Sequence, residues 1–207
     1  MKQKLILWDW DNTLIDSMPA VRAALDDVVD WAGLPPVTQK DVLDVMGTHR
    51  GRFWQENFPN RMDEALSYYL SRYGFHADKL ELFPETVNVL EWVRSQGIPQ
   101  WVVSNKNKKF LLPESDRFGL KLYFDKVIGT DERKIAKPSQ AFADEIFADG
   151  KPDSILMIGD GESDMQFAER IGAFGLFVRK GSDSVPFLYD VRVSDLSEVW
   201  AFLKQNY

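Results

Sequence analysis

The 207-residue chain contains no cysteine. That removes disulfides, a thiolate nucleophile and any cysteine-held zinc, and it fits a reducing compartment. A bound metal would have to be held mainly by oxygen. No apolar run approaches the roughly 18 residues that a membrane span requires. The opening "LILW" is also far shorter than a signal-peptide core of about 7–15 residues, and it runs straight into Asp9 and Asp11. The expectation is a cytoplasmic protein with no membrane partner. Positive charge is in deficit, with 25 Lys and Arg against 32 Asp and Glu and a formal net charge of −7. Neutralising nucleic-acid phosphates needs a basic face, so no nucleic-acid partner is expected. An anionic substrate would need a local positive site. Internal repeats and low-complexity stretches are absent too.

What is present is an ordinary globular composition, 44% hydrophobic and 28% charged. The length suits one α/β domain with a sizeable insertion, or two small domains. Short apolar runs alternate with segments of helical period, which is the pattern of parallel βα units. Strands are expected at Leu5–Asp9, Gln100–Ser104, Lys126–Ile128, Ile155–Ile158, Phe174–Val178 and Val191–Val193. Most are almost wholly apolar, as strands covered on both faces should be. Thr86–Gln96 predicts a helix with Val87, Leu90 and Val93 on its inner face, and Ser139–Asp149 one with Phe142 and Ile146. The last helix starts at Asp195 as N-cap, with Glu198 three residues on and Leu196, Val199, Trp200 and Leu203 facing inward.

Residues 17–82 break this rhythm. They read as helical throughout, with Val21, Ala24, Leu25, Val28 and Val29 on one face before Gly33 and Thr38 capping with Asp41. Ala65, Leu66, Tyr69 and Leu70 face one way before Gly74. The expected organisation is a core of residues 1–16 and 83–207 with a helical insertion over 17–82.

Open parallel sheets bind ligands beyond the carboxyl ends of their strands. Three apolar runs end there in polar residues: "LILWDWD", "WVVSN" and "ILMIGDGESD". Adjacent strands would bring Asp9, Asp11, Ser104, Asn105, Asp160 and Asp164 to one mouth, and "AKPSQAF" would add Lys137. Gathered carboxylates repel unless a cation joins them, and an oxygen-only set suits Mg²⁺. Aspartate is a competent nucleophile toward phosphorus, and a second acid can protonate the leaving oxygen. Each feature also has a plain reading. Asp-x-Asp is common, Ser104 and Asn105 could cap a helix, Lys137 could be a solvated lysine, and "GDGESD" could be a turn with an N-cap.

Together the motifs resemble those of the haloacid dehalogenase (HAD) superfamily, and within it the phosphatases with a helical cap. "DWDNTLIDS" is similar to that family's first motif, "VVSNK" to its second, "KPSQAF" to its third and "IGDGESDM" to its fourth. The resemblance implies a Rossmann-like parallel-sheet α/β core with an all-helical cap inserted after the first strand. It implies Asp9 as nucleophile and Asp11 as general acid and base. Asp9, the Asp11 main-chain carbonyl and Asp160 would hold Mg²⁺, supported by Asp164. Ser104 would hydrogen-bond the transferring phosphoryl group with help from Asn105, Lys137 would neutralise it, and Thr13 would brace the loop. Trp10 reads as packing, or as a main-chain N–H for phosphate. Dehalogenases of this superfamily lack an acid at the position of Asp11, so the resemblance is to its phosphatases. Gln140 stands where many relatives have proline, which bears on the start of that helix.

"FPETVNVLEWVRSQGIPQWVVSNK" is similar to the approach to the second motif in phosphoglycolate phosphatases. The implied partner is a small phosphorylated metabolite, phosphoglycolate-like or a sugar phosphate. In "GTHRGR", His49, Arg50 and Arg52 are candidates for a substrate carboxylate or hydroxyls, with a solvated basic loop as the plain reading. A β-phosphoglucomutase-like phosphotransferase and a non-enzymatic phosphoacceptor module are the alternatives. The sequence leaves monomer or homodimer open.

Overall fold

The computed structural model describes residues 4–46, 51–131, 135–179, 181 and 184–207. Its contacts divide the chain into a unit of residues 1–15 and 82–207 and a second unit of residues 16–81.

The first unit is built on Lys4–Trp8 (β1), whose last four residues are buried. Gln100–Asn107 (β4) and Ser154–Gly159 (β6) flank β1, Lys126–Thr130 (β5) pairs with β4, and Phe174–Val178 (β7) and Val191–Val193 (β8) extend the other side. The order is β5-β4-β1-β6-β7-β8, with every pairing parallel. The chain therefore moves outward on one side of β1 and returns to its other side at β6. That reversal puts the crevice favoured by ligands at the carboxyl end of β1. Trp8 is in register with both Val102 and Ile158, so the residues after them arrive side by side.

Alternation along β1 sends its side chains to two layers. Leu5 and Leu7 join Phe142, Ala143 and Ile146 of Gln140–Ile146 (α7), and Phe167, Ala168 and Ile171 of Glu162–Ile171 (α8), in one core cluster. Facing the other way, the buried Trp8 indole donates to Gln100 Oε1 at 3.0 Å. Gln100 Nε2 then donates to the Leu90 carbonyl of Thr86–Ser95 (α5), so this layer leaves no orphaned polar atom at the buried pair. Leu196–Asn206 (α9) starts as expected at Asp195, whose side chain accepts from Ser197 and Glu198 N–H.

The expected strands are present, with β4 extended through Asn107. The inner face of α5 is Thr86, Val89, Leu90 and Val93, whereas Val87 is exposed. Ser139 caps α7 and the helix begins at Gln140 without proline.

In the second unit, Met18–Ala32 (α1) has proline at its start and ends at Gly33, which takes the left-handed conformation (φ 65°) that glycine adopts without a Cβ penalty. Its inner face comprises Ala20, Val21, Ala24, Leu25, Val28 and Val29. Gln39–Met46 (α2), Arg52–Asn57 (α3) and Met62–Phe75 (α4) complete the helices. Thr38 and Asp41 bond reciprocally at the start of α2. Helix α4 passes through Gly74 to Phe75, and Leu70 is exposed instead of sharing the face of Ala65. Where the chain leaves and rejoins the first unit, Ile15–Asp16 (β2) and Glu81–Leu82 (β3) form a two-stranded sheet too short to show a pattern in sequence.

Candidate active site

Asp9 follows β1 directly, and its N–H donates to the Ile158 carbonyl at 2.8 Å. The chain then coils tightly: the Trp10 carbonyl accepts from the N–H groups of Thr13, Leu14 and Ile15. This turn requires a left-handed residue at Asn12 (φ 57°), a conformation that asparagine tolerates better than most side chains. Leu14 is tied down in turn, its carbonyl accepting from Thr86 Oγ1 at 2.8 Å and from Phe83 N–H. The strand thus delivers Asp9, and the turn sets Asp11 beside the same strand end.

Asp160 follows β6, and Asp164 lies in the first turn of α8. Asp164 Oδ2 accepts from Gly161 N–H at 3.0 Å, so the plain reading of "GDGESD" as a turn with a capped helix is also true. Gly159 is required here because the Asp164 carboxyl occupies the space a Cβ would fill. Lys137 is almost wholly buried, and its Nζ donates to Asp9 Oδ1 at 2.7 Å and to Asp164 Oδ1 at 2.5 Å. It is not a solvated lysine.

Oxygens of Asp9, Asp160 and Asp164 all lie within 4.8 Å of one another. Burial, then the charge of Asp164, pushes the Asp9 carboxyl up to about 6, against the opposing pull of Lys137. Asp160 is held well above the ordinary carboxylate range by burial and then by Asp9 and Asp164. Burial opposes the Lys137 charge, but Asp164 and Asp9 outweigh it and raise its pKa. One ammonium among three gathered carboxylates leaves the group short of positive charge. An all-oxygen donor set with that deficit fits a hard divalent cation.

Ser104 is buried in β4, and its Oγ accepts from Lys106 N–H at 3.2 Å. Neither Ser104 nor Asn105 caps the next helix, Lys108–Arg117 (α6); Asn107 does, through Lys109 N–H. Asn105 instead pairs with the main chain of Lys137, Nδ2 donating to its carbonyl at 3.0 Å and Oδ1 accepting from its N–H at 2.8 Å. Thr13 is buried with no hydrogen-bond partner for its hydroxyl among the described residues. Trp10 is fully buried, and its indole N–H donates to Glu114 Oε2 at 2.8 Å. His49 and Arg50 lie outside the described residues. Arg52, in the second unit, is half solvent-exposed and pairs with Glu56 one turn along α3.

Two residues at the site carried no role in the sequence reading. Lys106 Nζ lies 2.7 Å from Asp11 Oδ1 and 2.8 Å from Glu114 Oε2. The lysine sits inside "VVSNK", so its nearness to the second-motif serine was the available signal. Nothing distinguished Glu114 from a solvated helix glutamate.

Residues 6–178 match the model of the haloacid dehalogenase-like hydrolase family. The chain belongs to that family, and the fold and the acid-rich strand ends agree with it. It is similar to phosphoglycolate phosphatase 1 of Pseudomonas aeruginosa, 27% identical over 181 aligned residues that cover 82% of this chain and 66% of that protein. The chain thus spans just under two thirds of that relative's length. The phosphoglycolate phosphatase of Chromobacterium violaceum is 24% identical, with 98% of this chain and 97% of that protein covered. In structure the chain is similar to a haloacid dehalogenase-like hydrolase of Streptococcus pneumoniae, with a TM-score of 0.83, 22% identity and coverage of 97% and 98%. None of the helices among the described residues is long and apolar enough to cross a membrane.

Proposed function

We propose that the chain is a metal-dependent phosphatase that hydrolyses a small phosphorylated metabolite through an aspartyl-phosphate on Asp9. The observation that carries this reading is the contact of Lys137 Nζ with Asp9 Oδ1 at 2.7 Å, beside Asp160 and Asp164 at the sheet's reversal point. On this reading Asp9 is the nucleophile, Lys137 neutralises the phosphate, and Asp160 with Asp164 belongs to the metal-binding group. Relatives named phosphoglycolate phosphatase support the choice of phosphate monoesters.

Asp9, the Asp11 main-chain carbonyl and Asp160 would hold Mg²⁺, with Asp164 in support. When bound, the ion supplies positive charge that offsets the phosphate and the carboxylates. In the first step an Asp9 oxygen forms a bond to phosphorus while the ester P–O bond breaks, and Asp11 gives its proton to the departing alkoxide. In the second step Asp11, now a carboxylate, takes a proton from water as the water oxygen bonds to phosphorus, and Asp9 leaves. Lys137 and the Ser104 hydroxyl stabilise the phosphoryl oxygens, and Asn105 keeps Lys137 in place through its main chain. Arg50 is the candidate for a substrate carboxylate, with phosphoglycolate as the leading substrate and residues 17–82 as the cap that selects it.

The test is phosphate release from a panel of phosphoglycolate, sugar phosphates and nucleotides, with Mg²⁺ or chelator. Metal-dependent multiple turnover is expected. An isomerised sugar phosphate without phosphate release would show a mutase instead, and a single phosphate taken up per chain would show a phosphoacceptor module.

A further inference from the structure

Asp11 must present one oxygen to the leaving group, yet it sits on a turn after a strand end with its side chain 24% exposed. Its hold comes from β4 and α6. Lys106 Nζ donates to Asp11 Oδ1 at 2.7 Å, which leaves Oδ2 as the oxygen to carry the transferable proton. The lysine side chain is only 7% exposed and the Glu114 side chain only 6%. A buried ammonium shared between two carboxylates has little freedom to turn away. Glu114 Oε2 is itself fixed by the Trp10 indole N–H at 2.8 Å, and Trp10 immediately precedes Asp11 in the chain. The four residues form a closed ring: Trp10 to Glu114, Glu114 to Lys106, Lys106 to Asp11, and the peptide bond back to Trp10.

We propose that Lys106 and Glu114 are positioning residues that orient the Asp11 carboxyl for proton transfer to the leaving oxygen. This rests on the role of Asp11 given above. In this proposal neither residue contacts the reacting atoms, and Glu114 acts on Asp11 through Lys106. The ring also accounts for a buried glutamate on α6 that the acid cluster at Asp9 does not use.

Leaving-group dependence separates orientation from bulk structure. An alkoxide must be protonated as it departs, whereas p-nitrophenolate leaves unaided. The experiment compares kcat/KM, which reports the steps up to leaving-group departure, for phosphoglycolate and p-nitrophenyl phosphate with Mg²⁺. Wild type, Asp11→Asn, Glu114→Gln, Lys106→Met and the Lys106→Met/Glu114→Gln double variant are measured. Glu114→Gln and Lys106→Met are expected to lose about tenfold or more on phosphoglycolate and under about threefold on p-nitrophenyl phosphate. The double variant should lose no more than Lys106→Met, because the glutamate works through the lysine. Glu114→Asp replaces the glutamine variant if that chain does not fold. Equal losses on both substrates, or no loss, would overturn the positioning role while leaving the phosphatase reading intact. A wild-type chain inert toward both substrates and toward the sugar phosphates and nucleotides of the panel would instead overturn the phosphatase reading. An Asp11→Asn variant that loses equally on both substrates would remove Asp11 as the acid.

Discussion

Lys137 Nζ and Asp9 Oδ1 lie 2.7 Å apart although 128 residues separate them in the chain. The parallel sheet closes that gap, since β1 and the segment before α7 end at the same edge. Lys137→Met would leave Asp9 and Asp164 buried without their shared ammonium. Removing one partner of a buried ion pair costs about 3–5 kcal/mol. Denaturant unfolding at neutral pH should show a loss of that order, and phosphate release should fall to background.

Metal binding should stabilise the folded chain, because the cation enters an acid group that exists only when β1 and β6 are aligned. At a free Mg²⁺ concentration about 100 times its dissociation constant the gain is about 2.7 kcal/mol. The melting temperature should therefore rise with Mg²⁺ and return on chelation, and Asp160→Asn should lose most of the rise. An equal rise in wild type and Asp160→Asn would remove Asp160 from the metal site.

Gly159→Ala tests the packing behind that site. The Asp164 carboxyl fills the position of the missing Cβ, so either strand β6 or the start of α8 must shift. Overpacking of this kind costs about 1–3 kcal/mol. Activity should fall along with stability, because Asp164 holds Lys137. An alanine variant with wild-type stability and turnover would contradict the close approach.

Within the helical unit, Asp27 accepts from Arg72 Nε at 2.5 Å and faces His76 Nε2 at 2.7 Å. Burial alone would raise its pKa, but the hydrogen bonds and charges of Arg72 and His76 outweigh burial and hold it below the ordinary aspartate value. A carboxyl depressed on folding stabilises the fold above its unfolded pKa, and that contribution fades as pH falls through the folded value. Asp27→Asn should therefore cost about 1–2 kcal/mol near neutral pH. The gap from wild type should narrow below about pH 4, where unfolded aspartate binds its proton. A gap that is constant down to strong acid would contradict the charge-based hold.

The sheet was legible because β1, β6 and β7 bury all but their first residue and β4 buries the apolar pair Val102 and Val103 at its centre, so each shows an apolar run. Asp9, Asp160 and Lys137 were legible because each stands at a strand end or helix start. Helix faces were less so. Val87 fits the helical period of α5 but points outward, since Thr86 and Val89 set the buried stripe one position away. Gly74 read as a helix stop, yet α4 runs past it to Phe75. Glu114 was invisible for a different reason: its partners Trp10 and Lys106 are distant in sequence, and no periodicity marks a glutamate that turns inward to meet them. Asn105 was placed near phosphate by its motif, whereas its amide is engaged by the Lys137 main chain.

The aspartyl-phosphate is tested most directly by quenching the protein in acid during turnover with Mg²⁺ and mapping phosphoryl groups on its peptides. A phosphoryl group is expected on the peptide containing Asp9 and absent from Asp9→Asn, which folds but does not turn over. Steady turnover with no phosphopeptide, or an Asp9→Asn variant that keeps the wild-type rate, would contradict it.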